Sequence, residues 1–199
     1  IVPAKKFVGK SGIAGKEGKY ADWVYQGDHM LGQIMDALEK NGQARNTLLI
    51  ATGDNGAARR PYPPLREAKS SIYEGGHREP FVARWPGKIK PGTVSHSIIC
   101  LNDFFATCAD ILKTDLPANA AEDSVSFLPN LLNKKDAPVR QAIINQASEG
   151  LAIRQGFWKY IVFRNGTREL YNLKEDISET KDFSKTNTEV VTRLEKIMK

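Results

Sequence analysis

The stretch that most constrains this chain is "NTLLIATGDNG", residues 46–56. Leu48, Leu49, Ile50 and Ala51 form a short apolar run without alternation. That pattern predicts a strand buried on both faces, as in a parallel sheet. Upstream, "YADWVYQGDHMLGQIMDALEKNG" sets Val24, Leu31, Ile34, Met35 and Leu38 at helical spacing, with Gly42 placed to end the helix. Helix followed by buried strand is the α/β rhythm. "FVARW" predicts a second strand, closed by Pro86-Gly87, and residues 56–80 between them predict a long loop. "NDFFATCADIL" predicts a helix with Asn102 as cap and a buried stripe of Phe104, Phe105, Cys108, Ile111 and Leu112.

The texture changes after Pro138. "RQAIINQAS", "LAIRQG", "FWKYIVFR" and "RELYNL" are short strand candidates separated by turn signals, and Asn165-Gly166 marks a hairpin. "NTEVVTRLEKIMK" then predicts a last amphipathic helix through Val190, Val191, Leu194, Ile197 and Met198. The expected organisation is an α/β portion over residues 1–137 and a small antiparallel sheet with a terminal helix over 138–199.

With 41% hydrophobic residues in 199, the chain has enough apolar material for a folded core. No apolar run approaches the roughly 20 residues of a membrane span. The sequence opens on "IVPAKKF" without Met or a basic-then-apolar leader, so its true start is expected to lie upstream. A net charge of +6 suits an anionic partner or a generally basic surface. Nucleic acid is not expected, because no basic stripe is interleaved with aromatics. Cys100 and Cys108 form no C-x-x-C or Cys/His cluster, so neither is expected to bind zinc.

Asp54 and Asn55 stand just beyond a buried strand, where ligands bind in open α/β sheets. Their hard oxygens suit calcium, whereas zinc prefers His and Cys. The competing reading is an Asx turn capped by its own side chains. "KSSIYEGGHREP", residues 69–80, offers Lys69 on a glycine-containing loop. That Lys is placed to meet an anion beside a metal, or else is a solvated surface residue. Arg78 and Glu79 are expected to pair structurally, Tyr73 to pack, and His77 to be an exposed loop residue. Arg59, Arg60 and Arg66 are either contacts for further anionic groups or solvated.

The combination of D-N-G, K-x-x-x-Y-E-G-G-x-R-E-P and W-P-G resembles the formylglycine-dependent sulfatases of arylsulfatase type, in the alkaline phosphatase superfamily. "FVGKS", "YADWV" and "IRQGFWKYI...RELYNLKEDISET" are similar to that family too, so the resemblance covers nearly the whole chain. It implies an alkaline-phosphatase-like α/β sheet. It implies that Asp54 and Asn55 are two ligands of a calcium ion, and that Lys69 is a catalytic and substrate-binding residue contacting the sulfate. It implies a sulfated small molecule or glycan as substrate and a periplasmic or extracellular setting. It gives no role to His29, His77 or His96.

The family's nucleophile is a formylglycine made within C/S-x-P-x-R. Cys100, Cys108, Ser124 and Ser126 all lack the Pro and Arg at the required offsets. The family's first metal-binding aspartates and its histidine acid/base candidates have no match here either. The expectation is therefore the C-terminal part of a sulfatase, inactive alone, whose missing N-terminal part supplies the nucleophile. Two alternatives stand beside it. One is a non-catalytic sulfatase-like module binding sulfated glycan. The other is a phosphate-ester hydrolase of the same superfamily, which Asn55 in place of a zinc-binding His disfavours.

Overall fold

The computed structural model describes residues 2–58, 62–134 and 140–198. Arg59, Arg60 and the expected domain boundary at 137/138 lie outside the described residues. The chain divides into two compact units, Ile1–Ala51 with Ala83–Ile89, and Thr52–Val82 with Lys90–Lys199.

The first unit is built on helix α1, Gly18–Lys40. Asp22, buried on its first turns, accepts hydrogen bonds from the Gly9 amide (2.7 Å), the Ser11 amide (2.9 Å) and the Ser11 hydroxyl (2.7 Å). "YADWV" thereby fastens "FVGKS". Phe7 is buried beside His29, with ring centres 5.2 Å apart. The predicted stripe is only partly covered: Leu31, Met35 and Leu38 are half-buried, whereas Val24 and Ile34 are exposed. The helix ends at Asn41, and Gly42 takes a φ of 66° there.

Strands β1 (Leu49–Thr52) and β2 (Phe81–Arg84) form where expected and hydrogen-bond to each other. The expectation that β1 is buried on both faces does not hold. Leu49, Ile50 and Ala51 are half-buried and Thr52 is exposed. Among the described residues β1 has one strand neighbour, and a two-stranded pair leaves much of each face uncovered.

The second unit holds an antiparallel meander of β3 (Ala142–Ala147), β4 (Gly150–Gln155), β5 (Trp158–Phe163) and β6 (Arg168–Asn172). Gly166 at φ 86° makes the β5–β6 turn, as Asn165-Gly166 predicts. Strand alternation gives this sheet two apolar faces. On one, Ile153, Tyr160 and Leu170 pack against Leu194 of the terminal helix, Thr188–Met198. That helix buries Leu194 as expected, while Ile197 stays exposed. On the other, Ala152, Ile161, Tyr171 and Leu173 pack against Ile72 and Tyr73, which come from the "KSSIYEGGHREP" loop. The predicted long loop thus covers one face of the sheet, and it contains one helical turn, α2, Glu74–His77.

Helix α3, Asp103–Leu112, follows Asn102, but the Asn side chain makes no capping bond. Its buried residues are Asp103 and Thr107; Phe105, Cys108 and Leu112 are exposed. The polar pair is buried because the 123–127 segment, with Cys100 and Arg140, satisfies it. Asp103 accepts the amides of Cys100 and Val125, each at 2.9 Å, and Thr107 Oγ1 accepts the Phe127 amide at 3.0 Å. Only Phe104 of the predicted aromatic pair joins a cluster, meeting Phe81 and Phe127 edge-on or tilted.

Candidate functional site

The two motif segments meet backbone to backbone. The Gly56 amide donates to the Gly76 carbonyl at 3.0 Å, and the Lys69 amide donates to the Ala57 carbonyl at 3.1 Å. A Cβ on Gly56 would lie 1.8 Å from the Gly75 carbonyl oxygen, so only glycine allows this approach. A Cβ on Gly53 would lie 2.1 Å from Glu79 Oε2, which places the Glu79 carboxylate directly over the start of the Asp54 turn. Asp54, Asn55, Lys69 and Glu79 are thus gathered by one clasp of main chain.

Asp54 is exposed and Asn55 half-buried. The Asn55 amide nitrogen donates to the Gly56 carbonyl at 3.1 Å, which turns its oxygen away from that carbonyl. Lys69 is exposed and lies between Glu67 and Ser70, both with left-handed backbone at φ 60° and 77°. Such conformations in non-glycine residues persist only where surrounding structure imposes them. Burial pushes the Glu79 carboxyl up, and the neighbouring charge of Asp54 adds to the push. Among the described residues, no three His, Cys, Asp or Glu side chains gather as a metal cage.

The far side of the loop is held by a buried charge cluster that the sequence reading missed. Glu74, 1% exposed, has Lys159 Nζ at 3.1 Å and His77 Nε2 at 3.4 Å from one oxygen, and Arg78 at 3.1 Å and Arg154 at 3.5 Å from the other. Lys159 also lies 2.8 Å from Glu179. Lys159 and Glu179 are each 0% exposed. Burial opposes the charged form of Glu74. The His77 hydrogen bond and the Lys159 and Arg154 charges outweigh it and hold the carboxyl well below the usual range. Burial pushes Glu179 up instead, with the Glu74 charge adding to it, and Lys159 and the Glu74 amide oppose that rise without cancelling it. The missed signal was Lys159 inside the apolar run "FWKYIVF", since a Lys in a covered strand needs a buried partner.

Three expectations change here. Arg78 pairs with Glu74 and not with Glu79, because one helical turn brings residues four apart together while adjacent side chains diverge. His77 is not a free loop residue; it is half-buried against Glu74. Arg66 is not a freely solvated residue: half-buried, it donates to the Tyr171 hydroxyl (3.2 Å) and the Glu179 carbonyl (2.8 Å), over the Tyr73 ring. Tyr73 packs as expected, with its hydroxyl donating to Glu169 at 2.7 Å.

Residues 7–114 match the family model described as sulfatase. The chain belongs to the sulfatase family. Residues 68–199 also match the model described as N-sulphoglucosamine sulphohydrolase, C-terminal. The sulfatase chain is 34% identical to an N-acetylgalactosamine-6-O-sulfatase of Bacteroides thetaiotaomicron, over 99% of this chain and 43% of that protein. It is 34% identical to human N-acetylgalactosamine-6-sulfatase over 70% of this chain and 28% of that protein. Among solved structures, Ps i-CgsB in complex with k-i-k-neocarrahexaose superposes with a TM-score of 0.86 at 27% identity, covering 98% of this chain and 46% of that one. The sulfatase chain therefore spans under half the length of these relatives. Its fold is the α/β sulfatase and alkaline-phosphatase-like fold with a small antiparallel sheet.

Proposed function

We propose that this chain forms part of an enzyme that hydrolyses sulfate esters of sulfated sugars. The observation that carries this reading is the glycine clasp, which sets Lys69 and the Asp54-Asn55 turn on one ledge of a sulfatase fold. Sulfate ester hydrolysis needs the ester's negative charge compensated while sulfur is attacked and the alcohol leaves. Lys69 is the residue we assign to that task, its ammonium bound to the sulfate oxygens. The names of the two N-acetylgalactosamine-6-sulfatase relatives favour a sulfated sugar over a simple aryl sulfate as the natural substrate.

Asp54 and Asn55 are the residues that would hold a calcium ion. Their oxygens have the right hardness, and the mutual repulsion of the Asp54 and Glu79 carboxylates is what a cation there would relieve. Two oxygen donors fall short of the usual six to eight, so further ligands are needed from outside the described residues or from water. When bound, the ion would offset charge on the sulfate group. Asn55 orients its oxygen through the bond to Gly56, and Asp54 supplies the anionic ligand.

The nucleophile is proposed to be a formylglycine carried by a segment outside this sequence, because no C/S-x-P-x-R occurs within it. The 199-residue chain alone is then expected to be inactive. A periplasmic or extracellular setting is proposed with it, on the family resemblance alone. The test is steady-state turnover of a chromogenic aryl sulfate by the full-length protein and by the 199-residue chain. Turnover by the first and none by the second is expected. Turnover by the short chain alone would overturn the assignment of the nucleophile.

A further inference from the structure

Burying a Lys and two Glu side chains is an expensive way to fill space. Replacing such groups by apolar residues of similar volume is often neutral or stabilising. The position of the cluster in this fold suggests what it does. Lys159 lies in the middle of β5, opposite Arg154 of β4 and Tyr171 of β6. It stands on the sheet face that the motif loop covers, beside Ile161 and Tyr171. Its ammonium lies 3.1 Å from one Glu74 oxygen and 2.8 Å from Glu179. The other Glu179 oxygen accepts the Glu74 backbone N–H at 2.7 Å. These contacts close a ring that grips both the main chain and the side chain of a single residue.

That residue opens α2. The next two, Gly75 and Gly76, make the backbone contact with Gly56 beside Asp54 and Asn55. From the same Glu74 carboxylate, His77 and Arg78 are held at the other end of the turn. Apolar packing of Ile72 and Tyr73 fixes how deeply the loop sits, but packing is not directional. Two members of the ring, Lys159 to Glu74 and the Glu74 amide to Glu179, are hydrogen bonds and so directional, a restraint on the rotation of the α2 turn that packing alone does not supply.

We propose that Lys159 and Glu179 are positioning residues: their ring around Glu74 sets the α2 turn and, through Gly75-Gly76, the geometry of the Asp54-Asn55 turn and the loop bearing Lys69. The catalytic consequence rests on the sulfatase reading; the mechanical one does not. Removing both members as Lys159→Met with Glu179→Gln takes away one charge of each sign and leaves the cluster's net charge unchanged.

Two readouts test this. In the 199-residue chain, amide hydrogen exchange at Glu74, Gly75 and Gly76 should accelerate by about tenfold or more in the double variant, with β4 and β5 protected as before. In the full-length protein, kcat on a chromogenic aryl sulfate should fall by about tenfold or more with KM within about threefold, the pattern of a displaced reacting geometry. If the double variant does not fold, Glu179→Asp, which keeps the charge and shortens its reach, should loosen the same three amides. Unchanged exchange at residues 74–76 in a folded variant overturns the proposal, as does turnover within about threefold of the parent at full folding, a surface-scale effect. An unsubstituted full-length protein that hydrolyses no sulfate ester would sink the sulfatase reading, and the exchange experiment would still decide the positioning role.

Discussion

Lys159 of β5 and Glu74 of the motif loop are 85 residues apart in sequence, yet their charged atoms lie 3.1 Å apart with neither side chain exposed beyond 1%. The antiparallel sheet is therefore not an appendage to the motif segment in this unit. It is the surface on which that segment is mounted.

This contact predicts a large stability effect. Glu74→Ala strands Lys159 and Arg154 beside a single remaining carboxylate, and should cost about 3–5 kcal/mol in urea denaturation. Glu39→Ala breaks the Arg84–Glu39 pair at 2.6 Å, whose side chains are 34% and 58% exposed, and should cost under about 1 kcal/mol. Equal effects would contradict the special standing of the buried cluster.

A second prediction concerns the clasp. Gly56→Ala drives a methyl group into the Gly75 carbonyl, and main chain cannot step aside as a flexible side chain can. A loss of about 3 kcal/mol is expected, at the upper end of overpacking costs. Gly32→Ala, on the exposed middle of α1 with nothing within 4 Å, should instead stabilise by about 0.5–1 kcal/mol. Thermal unfolding of the two variants provides the comparison.

Asp103 governs the acid limb. Burial opposes its charge, but the Arg140 hydrogen bond at 2.5 Å and the amides of Val125 and Cys100 hold the carboxyl below its ordinary value. A carboxyl held low when folded contributes stability that is present above its unfolded pKa and is lost as pH falls through its folded one. Unfolding free energy should therefore decline as pH drops below about 4, and Asp103→Asn should flatten that decline. At neutral pH the same variant should cost about 3 kcal/mol by removing the counter-charge of Arg140, which keeps its hydrogen bond to the Asp123 carbonyl.

The Asp54 turn can be probed by titration. Glu79 is pushed up by burial and by the charge of Asp54. Asp54→Asn removes the second cause and should bring the Glu79 carboxyl down towards its ordinary range, read by carbon NMR of the side-chain carboxyl. Added calcium should move it the same way in the unsubstituted protein. An unmoved Glu79 in Asp54→Asn would mean the two carboxylates do not share a site.

Much of this was legible in the sequence, for identifiable reasons. The β3–β6 meander announces itself through short alternating runs and the Asn165-Gly166 turn, which act locally. Asp54 and Asn55 stand out because Gly53 and Gly56 flank them and glycines mark close backbone approach, whereas Lys69 is singled out by the family resemblance of its segment, which runs into Gly75-Gly76. What escaped was set by partners distant in sequence. The buried face of α3 is Asp103 and Thr107 rather than Phe105, Cys108 and Leu112, since a polar residue can be buried wherever another segment satisfies it. No periodicity rule sees residues 123–127 arriving. Lys159 was hidden for the same reason: its partners lie in a loop 85 positions upstream and a turn 20 positions downstream.

The central claim is that the clasp presents Lys69 to the sulfate of a substrate. The most direct measurement is kcat/KM for a chromogenic aryl sulfate with the full-length protein and its Lys69→Ala variant, both shown folded by circular dichroism. Losing one preorganised charge contact at a reacting centre should lower kcat/KM by about 10²–10³-fold. A change of less than about threefold, the scale of a solvated surface residue, would contradict it.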